Sequence, residues 1–498
     1  MSRLAFAYRQ KFNEDVVIDL IAYRRRGHNE ADDPSLTQPK LYQLVEARKG
    51  VRKLYTESLI GRNDITVDEA EQALADYQKR LEQVFAETHA DSPSDDHSRR
   101  ADSPTNSRDS TQESPVSTNI DQSVIDSVVA SQLNLREGFT VHSRLKPQLE
   151  RRGQMVKEDA IDWAMGEALA IGSLLNEGKT VRITGQDVRR GTFGHRHCVI
   201  VDYQTGEGYK PLKTLVRDNA RFFAFDSPLS EFAAVGFEYG YSIMWPEALV
   251  IWEAQFGDFV NGAQTILDEF VSSGQQKWNQ RSSVTLLLPH GMEGQGPDHS
   301  SGRIERFLSL CSQDNMIVSQ PSTPASYFHL LRTQALNPNR RPLVVFTPKS
   351  LLRAKAAVSP VSAFVNGRFE PVLMDGVSDA KKVTKVLLAS GKITYEVSAQ
   401  VASRGRDDLA LVRLERFYPL PASEIRSALA SYPKLREVVW VQDEPANQGA
   451  WPYLAAELPQ HIDATLSFKA RPASAAPATG SHHAHDDEQK ALIESIFA

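Results

Sequence analysis

Four stretches set His, Glu, Asp or Gln, most of them beside Gly, directly after short apolar runs. The first is Gly185-Gln-Asp-Val-Arg-Arg-Gly-Thr-Phe-Gly-His195-Arg-His197 and the second is Asp226-Ser-Pro-Leu-Ser-Glu231. The third is Glu253-Ala-Gln-Phe256-Gly-Asp258, and the fourth is His290-Gly-Met-Glu-Gly-Gln295-Gly-Pro-Asp298-His299. These side chains can hold, donate or accept protons near neutral pH. Each also has an ordinary reading. Glu231 opens an apolar helical stretch, where an acid stabilises free N–H groups and the helix dipole. His195 and His197 could be plain loop histidines. Phe256 could be core, although Gly257 beside it permits close ligand approach. His195, His197, His290 and His299 lack the His-Glu-x-x-His or Cys/His spacing of a metal site, so no metal ligands are assigned. His482, His483 and His485 read as solvated tail or subunit contact. What favours function is the convergence, because ligands of an open parallel sheet bind outside the carboxyl ends of its strands.

The apolar runs must be strands for that argument to hold. Thr180–Thr184, Phe222–Asp226, Ala248–Trp252, Ser283–Leu288, Met316–Gln320 and Pro342–Thr347 alternate with helical segments, the pattern of a parallel α/β sheet. The pattern restarts at Lys385–Ser390, continues at Leu409–Leu414 and ends at Glu437–Asp443. Asp159–Asn176 has helical apolar spacing. Thr66-Val-Asp-Glu69 is a capping box opening a helix to about Thr88. Near the start, Leu4–Gln10 reads as helix and Asp15–Tyr23 as a buried strand. From Ala90 to Ser123 the composition turns to Ser, Asp, Thr, Arg, Asn and Pro, which predicts a disordered linker. The expected organisation is a C-terminal remnant of a first domain (1–89), a linker (90–123), a central α/β domain (124–359) and a C-terminal α/β domain (360–498).

Composition excludes several classes. Among 498 residues, 57 Lys and Arg against 63 Asp and Glu give a net charge of −6, which argues against nucleic-acid binding. No apolar run reaches the ~18 residues that span a bilayer. Two cysteines suit a reducing, cytoplasmic setting. No Gly-x-Gly-x-x-Gly follows a strand, and neither a P-loop nor a Gly-x-Ser-x-Gly elbow occurs.

The longer motifs carry a resemblance. Tyr23-Arg-Arg-Arg-Gly-His28-Asn-Glu-Ala-Asp-Asp-Pro-Ser, Arg189 to His197, Asp226 to Tyr241, Trp252 to Phe259 and Leu288 to His299 carry it. So do Pro321 to Ala325, Asp443 to Trp451 and Arg471 to Gly480. Together they resemble the thiamine-diphosphate-dependent decarboxylating first component of the 2-oxoglutarate dehydrogenase complex. The resemblance implies a transketolase-like fold and oxidative decarboxylation of 2-oxoglutarate in the tricarboxylic acid cycle. It also implies succinyl transfer to a lipoyl-bearing acyltransferase, with dihydrolipoyl dehydrogenase as a further partner. It assigns Glu231 to the aminopyrimidine ring, Phe256 to stacking on that ring, and His28 to the catalytic end of the cofactor. It assigns His197, His290 and His299 to catalysis, and His195, His290 and His299 to substrate. It further implies a homodimer, with the cofactor between the diphosphate domain of one subunit and the pyrimidine domain of the other. The family's Gly-Asp-Gly…Asn motif for Mg2+ and the cofactor diphosphate does not occur here, and the chain reads as beginning downstream of it. Two other readings stay open: a related 2-oxo acid decarboxylase, or a catalytically incompetent fragment keeping dimer or complex-binding surfaces.

Overall fold

The structure, a computed structural model, describes residues 1–26, 38–90, 116–376 and 379–497, with side chains omitted for 88–90. The described residues up to 90 and those from 116 onward form two compact units.

The first unit is helical: Ser2–Phe12, Pro39–Ala47, Val51–Gly61 and Val67–Ala90. The capping box forms as expected. Glu69 N–H donates to Thr66 Oγ1 at 3.2 Å, and Thr66 N–H donates to Glu69 Oε2 at 2.7 Å. The strand expected over Asp15–Tyr23 is absent: residues 13–24 have no regular structure, and Val17, Leu20 and Ile21 are exposed. An extended apolar run becomes a strand only with a ladder partner, and among the described residues of this unit there is none.

The second unit is an α/β body with three sheets, one of them only a two-stranded antiparallel pair formed by its second and third strands. In chain order its strands are β1 (Val181–Gly185), β2 (Ile200–Val201), β3 (Gly208–Tyr209), β4 (Phe222–Asp226) and β5 (Leu249–Glu253). Then come β6 (Thr285–Pro289), β7 (Ile317–Ser319), β8 (Leu343–Thr347), β9 (Val372–Met374) and β10 (Lys385–Ala389). Last are β11 (Leu409–Leu414), β12 (Arg416–Tyr418), β13 (Glu437–Pro445) and β14 (Thr465–Arg471). The larger sheet has seven strands in the order β12-β7-β8-β6-β5-β1-β4, parallel except for β12. The second has five, β14-β13-β10-β11-β9, parallel except for β9. Strands β5, β6 and β8 are buried at every position, as strands covered by helices on both faces must be. The helix Trp163–Asn176 is buried nearly all round and opens on Asp162, whose side chain accepts from Met165 N–H.

Two expected boundaries change. Residues 91–115 of the expected linker lie outside the described residues, but 116–123 are packed rather than free. Thr118 and Ile120 are buried, Arg332 Nε donates to Thr118 O at 2.8 Å, and a helix begins at Gln122. Two buried side chains inside a polar run were enough to anchor it. The division at 359/360 is crossed as well, because β12 from the C-terminal segment completes the edge of the larger sheet beside β7. No helix among the described residues is long and apolar enough to cross a membrane.

Candidate active site

The register of the larger sheet brings three of the four motifs level. Gly185 at the end of β1 pairs with Asp226 of β4 on one side and Glu253 of β5 on the other. A side chain at position 185 would put its Cβ 2.2 Å from Glu253 O, so the close approach of β1 and β5 requires glycine there. Just beyond β4, Ser230 caps the helix Glu231–Met244, its Oγ accepting from Ala233 N–H at 3.2 Å. That cap fixes the half-buried Glu231 in the first helical turn. Gln186, just past β1, donates from Nε2 to Glu231 Oε1 at 3.1 Å. The other oxygen lies against Gly262, where an added Cβ would come within 3.2 Å of it.

Phe256 opens the turn Gly257–Ala263 after β5. Phe193, Phe259 and His299 stand around it at ring-centroid distances of 5.6, 6.2 and 4.5 Å, with interplanar angles of 88, 81 and 86°. None of these rings lies parallel on Phe256. The loop bearing His299 is pinned at several points. Asp258 Oδ1 accepts from the N–H groups of Ser300 and Ser301 at 3.0 and 2.9 Å, and Lys349 Nζ donates to His299 O at 2.7 Å.

His290 is held from both sides. Gly302 N–H donates to its Nδ1 at 3.1 Å, so the ring proton sits on Nε2, which donates to Glu444 Oε1 at 2.6 Å. The residue is buried, and both nitrogens are spent within the protein. The arrangement makes it an anchor of the loop 290–302, where the resemblance expects a substrate contact.

His195 and His197 flank Arg196, which is buried between two carboxylates. Its guanidinium pairs with Glu167, and with Glu253 at 2.6 and 2.7 Å, while Tyr327 Oη donates to Glu167 at 2.8 Å. Burial, reinforced by the Arg196 charge, pushes His195 down to about 3. Burial and the nearby Arg152 push His197 down to about 4, and its Nε2 lies 3.1 Å from Gly194 O. Both are neutral imidazoles at physiological pH. They act as hydrogen-bonding groups, and the proton shuttling that an unshifted histidine would offer near pH 7 is not open to them.

The structure thus joins Phe256, His299 and, through Phe193, His195 in one aromatic cluster. Glu231 stands apart with Gln186, His290 belongs to the joint with the second sheet, and His28 lies outside the described residues. Among the described residues no group of three or more His, Cys, Asp and Glu could hold a metal ion. The sequence reading missed the Arg196–Glu167–Glu253 cluster and Glu444. One signal was available: Glu167 is the single charged residue of the mostly apolar helix Trp163–Asn176, and a buried acid needs a partner.

Three family models match in series. Residues 1–96 match the dehydrogenase E1 component, 159–355 the pyrimidine-binding domain of transketolase, and 358–497 the C-terminal region of 2-oxoglutarate dehydrogenase. Curated relatives match along the whole chain. Two enzymes of Mycobacterium sp., strains KMS and MCS, are each named "Multifunctional 2-oxoglutarate metabolism enzyme". Each is 52% identical over 514 residues, covering 100% of this chain and 40% of the relative. One of the same name from Mycolicibacterium vanbaalenii is 51% identical over 513 residues, covering 41% of its length. The chain belongs to the family of 2-oxoglutarate dehydrogenase first components. It spans about two fifths of the length of these relatives. In this first-component chain, Glu231, Phe256, His195 and His299 all fall inside the matched pyrimidine-binding domain, and Glu444 falls in the C-terminal region.

Proposed function

We propose that this chain supplies the pyrimidine-binding half of an enzyme that oxidatively decarboxylates 2-oxoglutarate with thiamine diphosphate. The observation that carries the reading is Glu231, a carboxylate fixed in a helix's first turn and buttressed by Gln186 at the edge where the sheet's motifs converge. The residues fit an aminopyrimidine ring. The amide oxygen of Gln255, which lines the narrow gap beside Glu231, is buried without a hydrogen-bond partner, and among the described residues no ring is stacked parallel on Phe256. When bound, thiamine diphosphate supplies the electron sink that decarboxylation of a 2-oxo acid needs.

The protein's own part is orientation and proton placement. Glu231 Oε1 is engaged by Gln186, so Oε2 is the oxygen that would be left to exchange a proton with a ring nitrogen. Phe256 would pack on the ring. His195 and His299, on the aromatic cluster, donate to the carboxylates of the substrate. His197 and His290 fix the loops that carry them, and His28 serves the catalytic end of the cofactor. Mg2+ would accompany the diphosphate. The remaining proposals follow the resemblance: a cytoplasmic homodimer delivering succinyl groups to a lipoyl-bearing acyltransferase, with dihydrolipoyl dehydrogenase completing the complex and the tricarboxylic acid cycle as its setting.

The test is carbon dioxide release by the natural protein containing this chain, supplied with Mg2+ and thiamine diphosphate, across a panel of 2-oxo acids. Release from 2-oxoglutarate well above that from pyruvate and branched 2-oxo acids is expected. Equal or better turnover of a monocarboxylic acid would move the protein to a related decarboxylase.

A further inference from the structure

A cavity of about 530 Å³ opens beside the loop that carries His195, and its charge is unbalanced. Its lining includes Arg151, Arg152, Arg353 and Lys355 against one carboxylate, Asp162. Asp162 is already committed to capping the helix Trp163–Asn176 through Met165 N–H at 2.9 Å. Arg152 is the telling residue. It is 4% exposed, and its recorded partners are all neutral: Gln132 Oε1, Arg196 O at 2.6 Å and His195 O at 3.1 Å. Among the described residues no carboxylate lies within 4.0 Å of it.

The contrast with Arg196, whose backbone oxygen accepts from Arg152, is direct. Arg196 is equally buried and faces two carboxylates. Burying an arginine without a counter-ion is costly, and proteins normally provide a pair or a bound anion. Burial lowers the Arg152 pKa accordingly. Arg353 Nη2 donates to Phe193 O at 2.6 Å, which holds a second guanidinium at the rim. Arg151 and Lys355 are exposed at the same opening. The volume lies in the range of small-ligand sites, and planar guanidinium groups suit the oxygens of phosphate and carboxylate.

We propose that this cavity binds a small anion through a phosphate or carboxylate group, with Arg152 as its buried counter-charge. Bound there, the anion would sit against the backbone of His195 and Arg196 through Arg152, and so tie its presence to the placement of the histidine loop. The site goes beyond the reading of Glu231 and Phe256, and its test requires no turnover.

The 498-residue chain is titrated with inorganic phosphate and, separately, with 2-oxoglutarate at constant ionic strength, followed by calorimetry and thermal melting. Saturable binding with a rise in Tm is expected. The paired variant Arg353→Ala with Lys355→Ala changes only exposed side chains and should fold. It should bind the same anion about tenfold more weakly. Arg152→Leu, where it folds, should abolish the response. If 2-oxoglutarate displaces phosphate, the carboxylates of the substrate use the cavity; if phosphate binds undisturbed by it, a separate phosphate-bearing ligand does. No saturable binding of either anion, or unchanged affinity in the paired variant, overturns the proposal. Decarboxylation by the natural protein alongside such a null result would leave the functional reading standing.

Discussion

Glu231 owes little of its placement to its own charge. An acid in the first turn of a helix gains about 0.3–1 kcal/mol from the dipole, and Ser230 supplies the cap independently. Glu231→Gln should therefore change unfolding free energy by about 1 kcal/mol or less. It should lower decarboxylation by roughly 10²-fold or more, because a neutral amide cannot exchange a proton with a ring nitrogen. Urea unfolding and carbon dioxide release measured on the same preparations separate the two effects, and near-normal turnover would remove Glu231 from the mechanism. The two shifted histidines make a different, pH-dependent claim. His195 and His197 hold folded-state values of about 3 and about 4, below the ordinary 6.5. The unfolded chain takes up their protons as pH drops through 6.5 while the folded chain does not. Their stabilising contribution is thus complete above pH 6.5 and is lost progressively as pH falls toward 4 and then 3. Urea midpoints at pH 7.5 and 5.5 should show the lower stability at 5.5. A double variant, His195→Gln with His197→Gln, should flatten that slope, and an unchanged slope would place the protons elsewhere.

At the level of elements, the long parallel strands were legible because full burial leaves unbroken apolar runs. Phe222–Asp226 and Leu409–Leu414 fall where the residues alone put them, and β1, β5 and β6 shift by a residue or two. The short edge strands were not legible. β9 and β12 have three residues each, too few for any periodicity, and β14 is half exposed with mixed polarity. Asp15–Tyr23 shows the converse, a strand-like composition without a neighbouring ladder. The site divides the same way. Glu231 and Phe256 could be singled out by their position after strands. The clamp around Arg196 could not, since Glu167 and Glu253 lie 29 and 57 residues away and only the folded sheet brings them together. The turn after β5 carries its own test. A Cβ at Gly257 would meet Pro289 O at 2.7 Å and the Gly302 Cα at 2.9 Å, both backbone atoms that cannot swing aside. Gly257→Ala should cost about 1–3 kcal/mol, and it should disturb Phe256 and the loop holding His299 together. Thermal melting, with tryptic cleavage after Arg303 at the end of that loop as a local readout, checks it; a variant as stable and as resistant as the parent would show that the turn can relax.

At the level of the whole molecule, the helix that starts at Glu231 shows solvent a face that a monomer has little reason to keep. Phe237 and Met244 are 60% and 85% exposed, and Leu229 and Phe232 are exposed beside them. The face is also rigid. Arg182, paired to Glu238 at 2.7 and 2.8 Å, lies under the rings of Tyr241, Phe237 and Phe225 at 4.5, 5.3 and 5.4 Å from their centroids. Fixed aromatic side chains around a desolvated cation are the composition of an interface centre. The proposed homodimer gives that face an occupant, and the family resemblance puts the cofactor between subunits, next to Glu231. A stable dimer needs roughly 800 Å² buried per partner, more than Phe237 and Met244 provide alone but within reach of the helix face together with β4. A charge there should oppose pairing without unfolding the chain, since surface substitutions typically stay within about 0.5 kcal/mol. Phe237→Asp combined with Met244→Asp should therefore sediment as a folded monomer with the parent's far-ultraviolet circular dichroism and a melting temperature lowered by the lost subunit contact, against a dimeric parent at micromolar concentration. A parent that is itself monomeric in the natural protein, or a doubly charged variant that still dimerises, would move the subunit contact away from this helix. The active-site reading of Glu231 would then need a different second wall.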